Sequence, residues 1–137
     1  MSRLLIDTCA ALWIGSNASI SVQAIDAMDR SADQNHPVFL SPYSAWEIGL
    51  LASKNRIQLP QTPSIWFSKL LSKSGAKLAE LTVDIFVASS YLPSTPPRDP
   101  ADRIIIATAR EYGMTILTRD QKILKYANEG HVKALAC

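Results

Sequence analysis

The stretch DPADRIIIATAREYGMTILT, residues 99–118, decides how this chain folds. Taken alone, the run Ile104–Ile105–Ile106 suggests a strand, because β-branched side chains resist the helix modestly. Its flanks overrule that reading. Asp99 is a good N-cap, Pro100 suits a first helical position, Asp102 meets the positive end of the helix dipole, and Gly113 is a C-terminal stop. Residues 100–112 are therefore predicted as a helix, and one apolar nearly all round is a buried one. MTILT, residues 114–118, follows as a strand.

The same alternation runs through the rest of the chain. RLLI (3–6) reads as a strand turning at Asp7–Thr8, followed by helical ALW and SISVQAIDAMDRSA, the latter with Ile20, Ala24, Ala27 and Met28 at helical spacing. PVFLS (37–41) is a second strand and PYSAWEIGLLASKNR (42–56) a helix with Pro42 in its first turn. SIWFSKLLSKSG is a helix stopped by Gly75, AKLAEL a strand, VDIFVASSYL a helix and STPPR a stiff loop. After residue 118 come a short helix in QKILKYANEG and a last edge strand in HVKALA. Strands alternating with helices imply an α/β fold, a three-layer α/β/α sandwich around a mainly parallel central sheet.

With 137 residues, 47% of them apolar, the chain suits a single domain spanning 1–137. No apolar run approaches the roughly 20 residues needed to cross a bilayer, and neither a membrane segment nor a signal peptide is visible. Cys9 and Cys137 form no spaced framework, which fits a reducing cytoplasm, and Cys9 reads as a small core residue. His36 and His131 sit before strands and read as surface residues without a proton-relay role. Trp13, Trp46 and Trp66 stand in apolar surroundings and read as packing residues rather than base-stacking platforms.

Chemistry enters with the acids. Ligands of open parallel sheets bind outside the carboxyl ends of the strands. Asp7 follows the first strand directly, Asp120 follows MTILT by one residue, and Asp102 opens the helix leading into that strand. Glu47 interrupts the apolar YSAWEIGLL, where a carboxylate must be solvated or paired. Singly, each except Glu47 has an innocent explanation: Asp7 and Asp120 as helix caps, Asp102 as a dipole partner. Asp99 fits the cap role best. Together, four clustered carboxylates repel one another unless a cation compensates them. An oxygen-only set, with no His or Cys cluster, points to Mg²⁺ or Mn²⁺ over zinc, and such ions commonly meet a substrate phosphate. The implied chemistry is phosphodiester hydrolysis by a metal-activated water.

The net charge is only +2, from 14 basic and 12 acidic residues, so composition alone announces no nucleic-acid partner. Withdrawing the four acids into a metal site leaves 8 acids against 14 bases, a surface that favours a polyanion. Lys54, Arg56, Arg98, Arg103 and Arg119 all lie near these segments, where they either meet phosphates or, for Lys54 and Arg56, end a helix favourably.

In LLIDTCAALW, SPYSAWEIGLLASKNRIQL and RDPADRIIIATAREYGMTILTRD, taken in order and spacing, the chain resembles the PIN-domain ribonucleases, specifically the VapC-like toxins of bacterial toxin–antitoxin pairs. By that resemblance Asp7, Glu47, Asp102 and Asp120 match the acidic quartet that binds Mg²⁺ or Mn²⁺, and Asp99 an additional acid of the DPxDR subgroup. Thr8, Ser44 and Thr118 match polar positions that line or orient the site, and Arg103 accompanies Asp102. The resemblance further implies endoribonuclease action on a structured RNA such as tRNA or rRNA, leaving 3′-hydroxyl and 5′-phosphate ends. It also implies a homodimer and inhibition by a cognate antitoxin protein. Two positions depart from the pattern: Cys9 and Pro97 stand where histidine is frequent in relatives. They bear on substrate preference rather than on the chemistry.

Rival readings fare worse. A PIN-like scaffold that binds RNA or protein without catalysis predicts a damaged quartet, and all four acids are present. A haloacid-dehalogenase-type phosphatase needs an acid two residues after the first Asp, where Cys9 stands. A phosphoacceptor receiver domain wants paired acids after the first strand and a late lysine. A dinucleotide-binding domain wants a glycine-rich first turn, and none of the five glycines lies there.

Overall fold

A computed structural model describes residues 3–15 and 21–137 of the chain. Five strands, β1 (Leu4–Ile6), β2 (Phe39–Leu40), β3 (Lys77–Leu78), β4 (Thr115–Thr118) and β5 (Lys133–Ala136), form one sheet in the order β3-β2-β1-β4-β5. Every pairing is parallel. Around it, among the described residues, lie α1 (Thr8–Gly15), α2 (Val22–Asp33), α3 (Pro42–Ser53), α4 (Pro63–Ser74), α5 (Val83–Ala88), α6 (Pro100–Tyr112) and α7 (Gln121–Asn128). The sandwich expected from the sequence is the one observed.

Register explains the two cores. Side chains alternate across a strand, so residues opposite one another share a face. Leu5 pairs with Phe39 and Ile116, and all three pack with Ile105, Ile106 and Ile123 of α6 and α7. Ile6 pairs with Leu40 and Leu117, and these pack on the opposite face with residues of α1, α2, α3 and α4. β1 is apolar throughout, and β4 sends Ile116 to one face and Leu117 to the other, as a sheet covered on both sides requires.

Residues 100–112 are helical as predicted: Asp99 caps α6 through Ala101 N–H at 2.8 Å, and Gly113 ends it at φ 65°. Six successive residues, Ile104 to Ala109, are buried. Gly75 ends α4 in the same left-handed conformation, φ 67°. Several predicted elements are shorter. PVFLS contributes only Phe39–Leu40 to the sheet, because Pro37 lacks an N–H and Ser41 leaves the strand to cap α3. AKLAEL contributes only Lys77–Leu78, and α3 stops at Ser53. The predicted helical residue Ile20 lies outside the described residues, with α2 beginning at Val22 behind its cap Ser21.

Three expectations about single residues are corrected. Cys9 is exposed, because the core side of α1 takes Thr8, Ala10 and Ala11 and turns Cys9 outward. The histidines are half-buried rather than on the surface: His131 packs its ring 4.8 Å from that of Tyr126, and His36 borders an apolar recess between α2 and α4. Of the three tryptophans only Trp66 is buried, while Trp46 is 58% exposed with its ring tilted against that of Tyr43 at 5.2 Å. No described helix is long and apolar enough to cross a membrane.

Candidate active site

The strand order reverses direction between β1 and β4: the chain moves outward through β2 to β3 on one side and to β5 on the other. Such a switch point opens a crevice at the carboxyl ends of the two central strands. Asp7 emerges there from β1 and Asp120 from β4, while α3 and α6 bring Glu47 and Asp102 to the same place. Asp7, Thr8, Ser44, Glu47, Asp102 and Asp120 line one cleft of about 230 Å³. The four acids singled out in the sequence are thus brought together from residues 113 positions apart in the chain at the extremes, Asp7 and Asp120.

Each carboxylate is aimed by local structure. Asp7, 8% exposed, accepts from Ala10 N–H at 2.8 Å through Oδ1 and from the Thr118 hydroxyl through Oδ2. Thr118 Oγ1 in turn accepts from Asp120 N–H at 2.9 Å, so one buried threonine couples both strand ends. Asp120 Oδ1 accepts from Lys122 N–H at 2.8 Å and Ile123 N–H at 3.2 Å, capping α7. Thr8 Oγ1 donates to Glu47 Oε1 at 2.5 Å and lies 2.9 Å from Ser44 Oγ. A hydroxyl carries one proton, so the Ser44 hydroxyl is the donor in that second bond. Thr8, Ser44 and Thr118 are therefore hydrogen-bonded to Glu47, to one another or to Asp7.

Asp99 and Arg103 stand differently. Asp99 is exposed, uses Oδ1 in its cap, and does not line the cleft. Arg103 sends Nε to the Pro97 carbonyl at 2.7 Å, tying the proline-rich loop to α6. Sequence reading missed Tyr43 and Trp13 as cleft residues. Cys9 and Trp13 are four residues apart on α1 and therefore share a face, the one that turns to the cleft, but the helix is apolar on every side and its sequence does not give that phase.

Burial first, and like charge second, disfavours ionisation across the cluster. Burial pushes the Asp102 carboxyl up to about 7, and the charges of Asp120, Asp99, Glu47 and Asp7 push the same way. Burial also raises Asp7, against the bonds from Thr118 and Ala10, and raises Glu47, against the bond from Thr8. The Cys9 thiol rises to about 11, through partial desolvation in the cleft wall and the charges of the surrounding carboxylates, so it is a poor nucleophile. The N-terminal ends of α1, α3, α6 and α7 all border the cleft, and their dipoles offset part of this repulsion.

The PIN domain family profile matches residues 4–129. This chain belongs to the PIN domain family. It is 31% identical over 124 residues to ribonuclease VapC22 of Mycobacterium tuberculosis, covering 90% of this chain and 91% of that protein. Among solved structures it is similar to FitAcB of Neisseria gonorrhoeae, with TM-score 0.60, 18% identity and coverage of 97% of this chain and 96% of that one. A domain of a functionally unknown protein from Methanocaldococcus jannaschii matches with TM-score 0.59 and 14% identity, covering 100% and 91%. FitAB bound to an IR36 DNA fragment matches with TM-score 0.56 and 16% identity, covering 98% and 94%. The family and the VapC-like character read from the sequence motifs both stand.

Proposed function

We propose that this PIN domain is a Mg²⁺- or Mn²⁺-dependent endoribonuclease, the toxin of a toxin–antitoxin pair, which hydrolyses RNA phosphodiester bonds with water as the nucleophile. The observation that carries this reading is the convergence of Asp7, Glu47, Asp102 and Asp120 in one cleft at the switch point. The likeness to a protein named as a VapC ribonuclease supports it independently.

The donor set fits a hard divalent cation. All candidate ligands are oxygens, and burial, with a smaller push from neighbouring carboxylates, disfavours the charged forms of Asp7, Glu47 and Asp102, a cost that a bound cation would offset. Among the described residues no three His, Cys, Asp or Glu side chains are placed to hold a metal ion together, so the assignment rests on the shared cleft and the oxygen chemistry of its acids. Asp7, Glu47, Asp102 and Asp120 are the residues we assign to hold it. When bound, such an ion supplies a lowered pKa for the attacking water and charge compensation at the phosphate. The chain's own part is orientation. Thr118 and Ala10 fix both oxygens of Asp7, and Asp120 is locked by its cap. Thr8 holds Glu47 Oε1, leaving Oε2 to accept a proton from the incoming water. We extend to this chain the partners its family resemblance implies: a structured RNA such as tRNA or rRNA, a cognate antitoxin protein and a second copy of itself.

The deciding measurement is cleavage of total cellular RNA by purified, antitoxin-free protein with Mg²⁺ or Mn²⁺ against EDTA, with Asp7→Asn beside the wild type. Discrete fragments that need both metal and Asp7 are expected. Absence of cleavage by a folded wild-type chain rejects the nuclease and favours a non-catalytic scaffold.

A further inference from the structure

Of the five basic residues near the motif segments, Lys54, Arg56, Arg98, Arg103 and Arg119, only Arg119 lines the acidic cleft. It sits between Thr118, whose hydroxyl holds Asp7, and Asp120, so it leaves the central strand β4 at the switch point itself. Contacts at the end of β5 and with α1 are among those that constrain it. Its Nε donates to the Cys137 carbonyl at 2.9 Å, just beyond the edge strand β5, and its guanidinium carbon lies 4.0 Å from the centre of the Trp13 ring on α1. Trp13 lines the cleft as well.

A guanidinium is a planar fork suited to two oxygens of one phosphate, and stacking on an aromatic face fixes the plane of that fork. Here the bond from Nε and the cation–π contact with Trp13 restrain the guanidinium while the residue as a whole remains exposed. An arginine serving only to fasten β5 would need neither the cleft position nor the indole beneath it. Building on the nuclease reading, we propose that Arg119 binds a phosphate of the RNA backbone beside the acidic cluster, with Trp13 as the positioning residue that presents its guanidinium. The site would otherwise offer a polyanion a cleft lined by four carboxylates, so a fixed cation at its wall sets where the strand enters.

The test uses the full chain in two steps. Cleavage of total RNA by the wild type with Mg²⁺ checks the nuclease reading. Binding of fluorescein-labelled single-stranded RNA of mixed sequence, titrated against salt in the Asp7→Asn background with Mg²⁺, then checks Arg119. Arg119→Met is expected to weaken binding about 10- to 100-fold, as loss of a charge-assisted phosphate bond does, and to reduce the salt slope by about 0.7. Arg119→Lys keeps the slope but not the affinity, since it retains charge and loses the fork. Trp13→Leu weakens binding and Trp13→Phe restores it, with melting temperatures held. Wild-type affinity and slope in Arg119→Met, beside an active wild type, overturn the inference and leave the nuclease reading standing. So does a binding loss that only tracks a fall in melting temperature, which makes Arg119 a structural strap. A folded wild type that cleaves nothing removes both.

Discussion

Ile116 and Asp7 lie at neighbouring central strands, both nearly inaccessible at 0% and 8% exposure, and are held in opposite ways. Ile116 is fixed by shape, packed among Leu5, Ile106 and Ile123 between sheet and helices. Asp7 is fixed by hydrogen bonds from Thr118 and Ala10, in surroundings that disfavour its charge. The cores on the two faces favour folding. The cleft at the sheet's carboxyl edge opposes it, because four acids gathered there repel one another whenever they are ionised. Residues retained against stability are the ones expected to act on a ligand.

The sharpest break between the regions is a pair of substitutions. Asp7→Asn is expected to remove metal-dependent RNA cleavage, a loss of at least about 100-fold, while far-ultraviolet circular dichroism stays that of the wild type. Retained cleavage with retained metal binding would dissolve the proposed site. Ile116→Ala is its mirror image: removing a fully buried branched side chain is expected to cost about 2–5 kcal/mol of stability by urea denaturation. Its activity per folded molecule, measured well below the transition, should stay near the wild-type value. A larger loss of chemistry than of folding would mean that core and cleft are mechanically one unit.

A third effect is smaller and has a definite sign. The Asp102 carboxyl stands near 7 in the folded chain against 3.8 for a free aspartate. The folded state therefore holds its proton more tightly than the unfolded state does. Stability from this group is full below about pH 3.8 and declines as pH rises through about 7. Metal-free protein should accordingly melt lower at pH 8 than at pH 5.5 on account of this group, and Asp102→Asn should raise the melting temperature at pH 8 more than at pH 5.5. Mg²⁺ should narrow the same gap in the wild type. An equal effect of Asp102→Asn at both pH values would show that Asp102 is perturbed neither by its burial nor by its neighbours.

The contrast also explains what was legible in the sequence. The helix at 100–112 was readable despite its isoleucines because caps and stops are local chemistry, and Asp99, Pro100 and Gly113 sit at its ends. Strand lengths were not, since Pro37 and Ser41 trim β2 through bonds the pattern does not contain. That the four acids would share one cleft was legible because strand ends in a parallel sheet share an edge. Helix phase was the weak point: α1 is apolar on every side, so nothing in TCAALWIG says that Cys9 and Trp13 turn to the cleft while Ala10 and Ala11 turn inward. Capping and site membership also proved not to be alternatives. Asp7 and Asp120 each accept helix N-terminal amides and line the cleft, the cap fixing one oxygen and so the direction of the other.

Asp99 offers the finest division between the two kinds of residue, with the smallest expected effect. Its Oδ1 caps α6 at Ala101, its side chain is exposed, and it stays out of the cleft lining, yet its charge raises both Glu47 and Asp102. Asparagine caps about as well as aspartate, so Asp99→Asn should leave the melting temperature nearly unchanged, whereas Asp99→Ala should lose about 1 kcal/mol with the cap. Removing the charge should lower the Asp102 carboxyl from about 7, visible as a shift of its side-chain carbon resonance in a pH titration. Cleavage should fall little, because the capping oxygen is kept and the acids lining the cleft are untouched. A steep loss of cleavage in Asp99→Asn at constant melting temperature would instead make Asp99 a fifth member of the acidic cluster, reaching a ligand from outside the cleft wall.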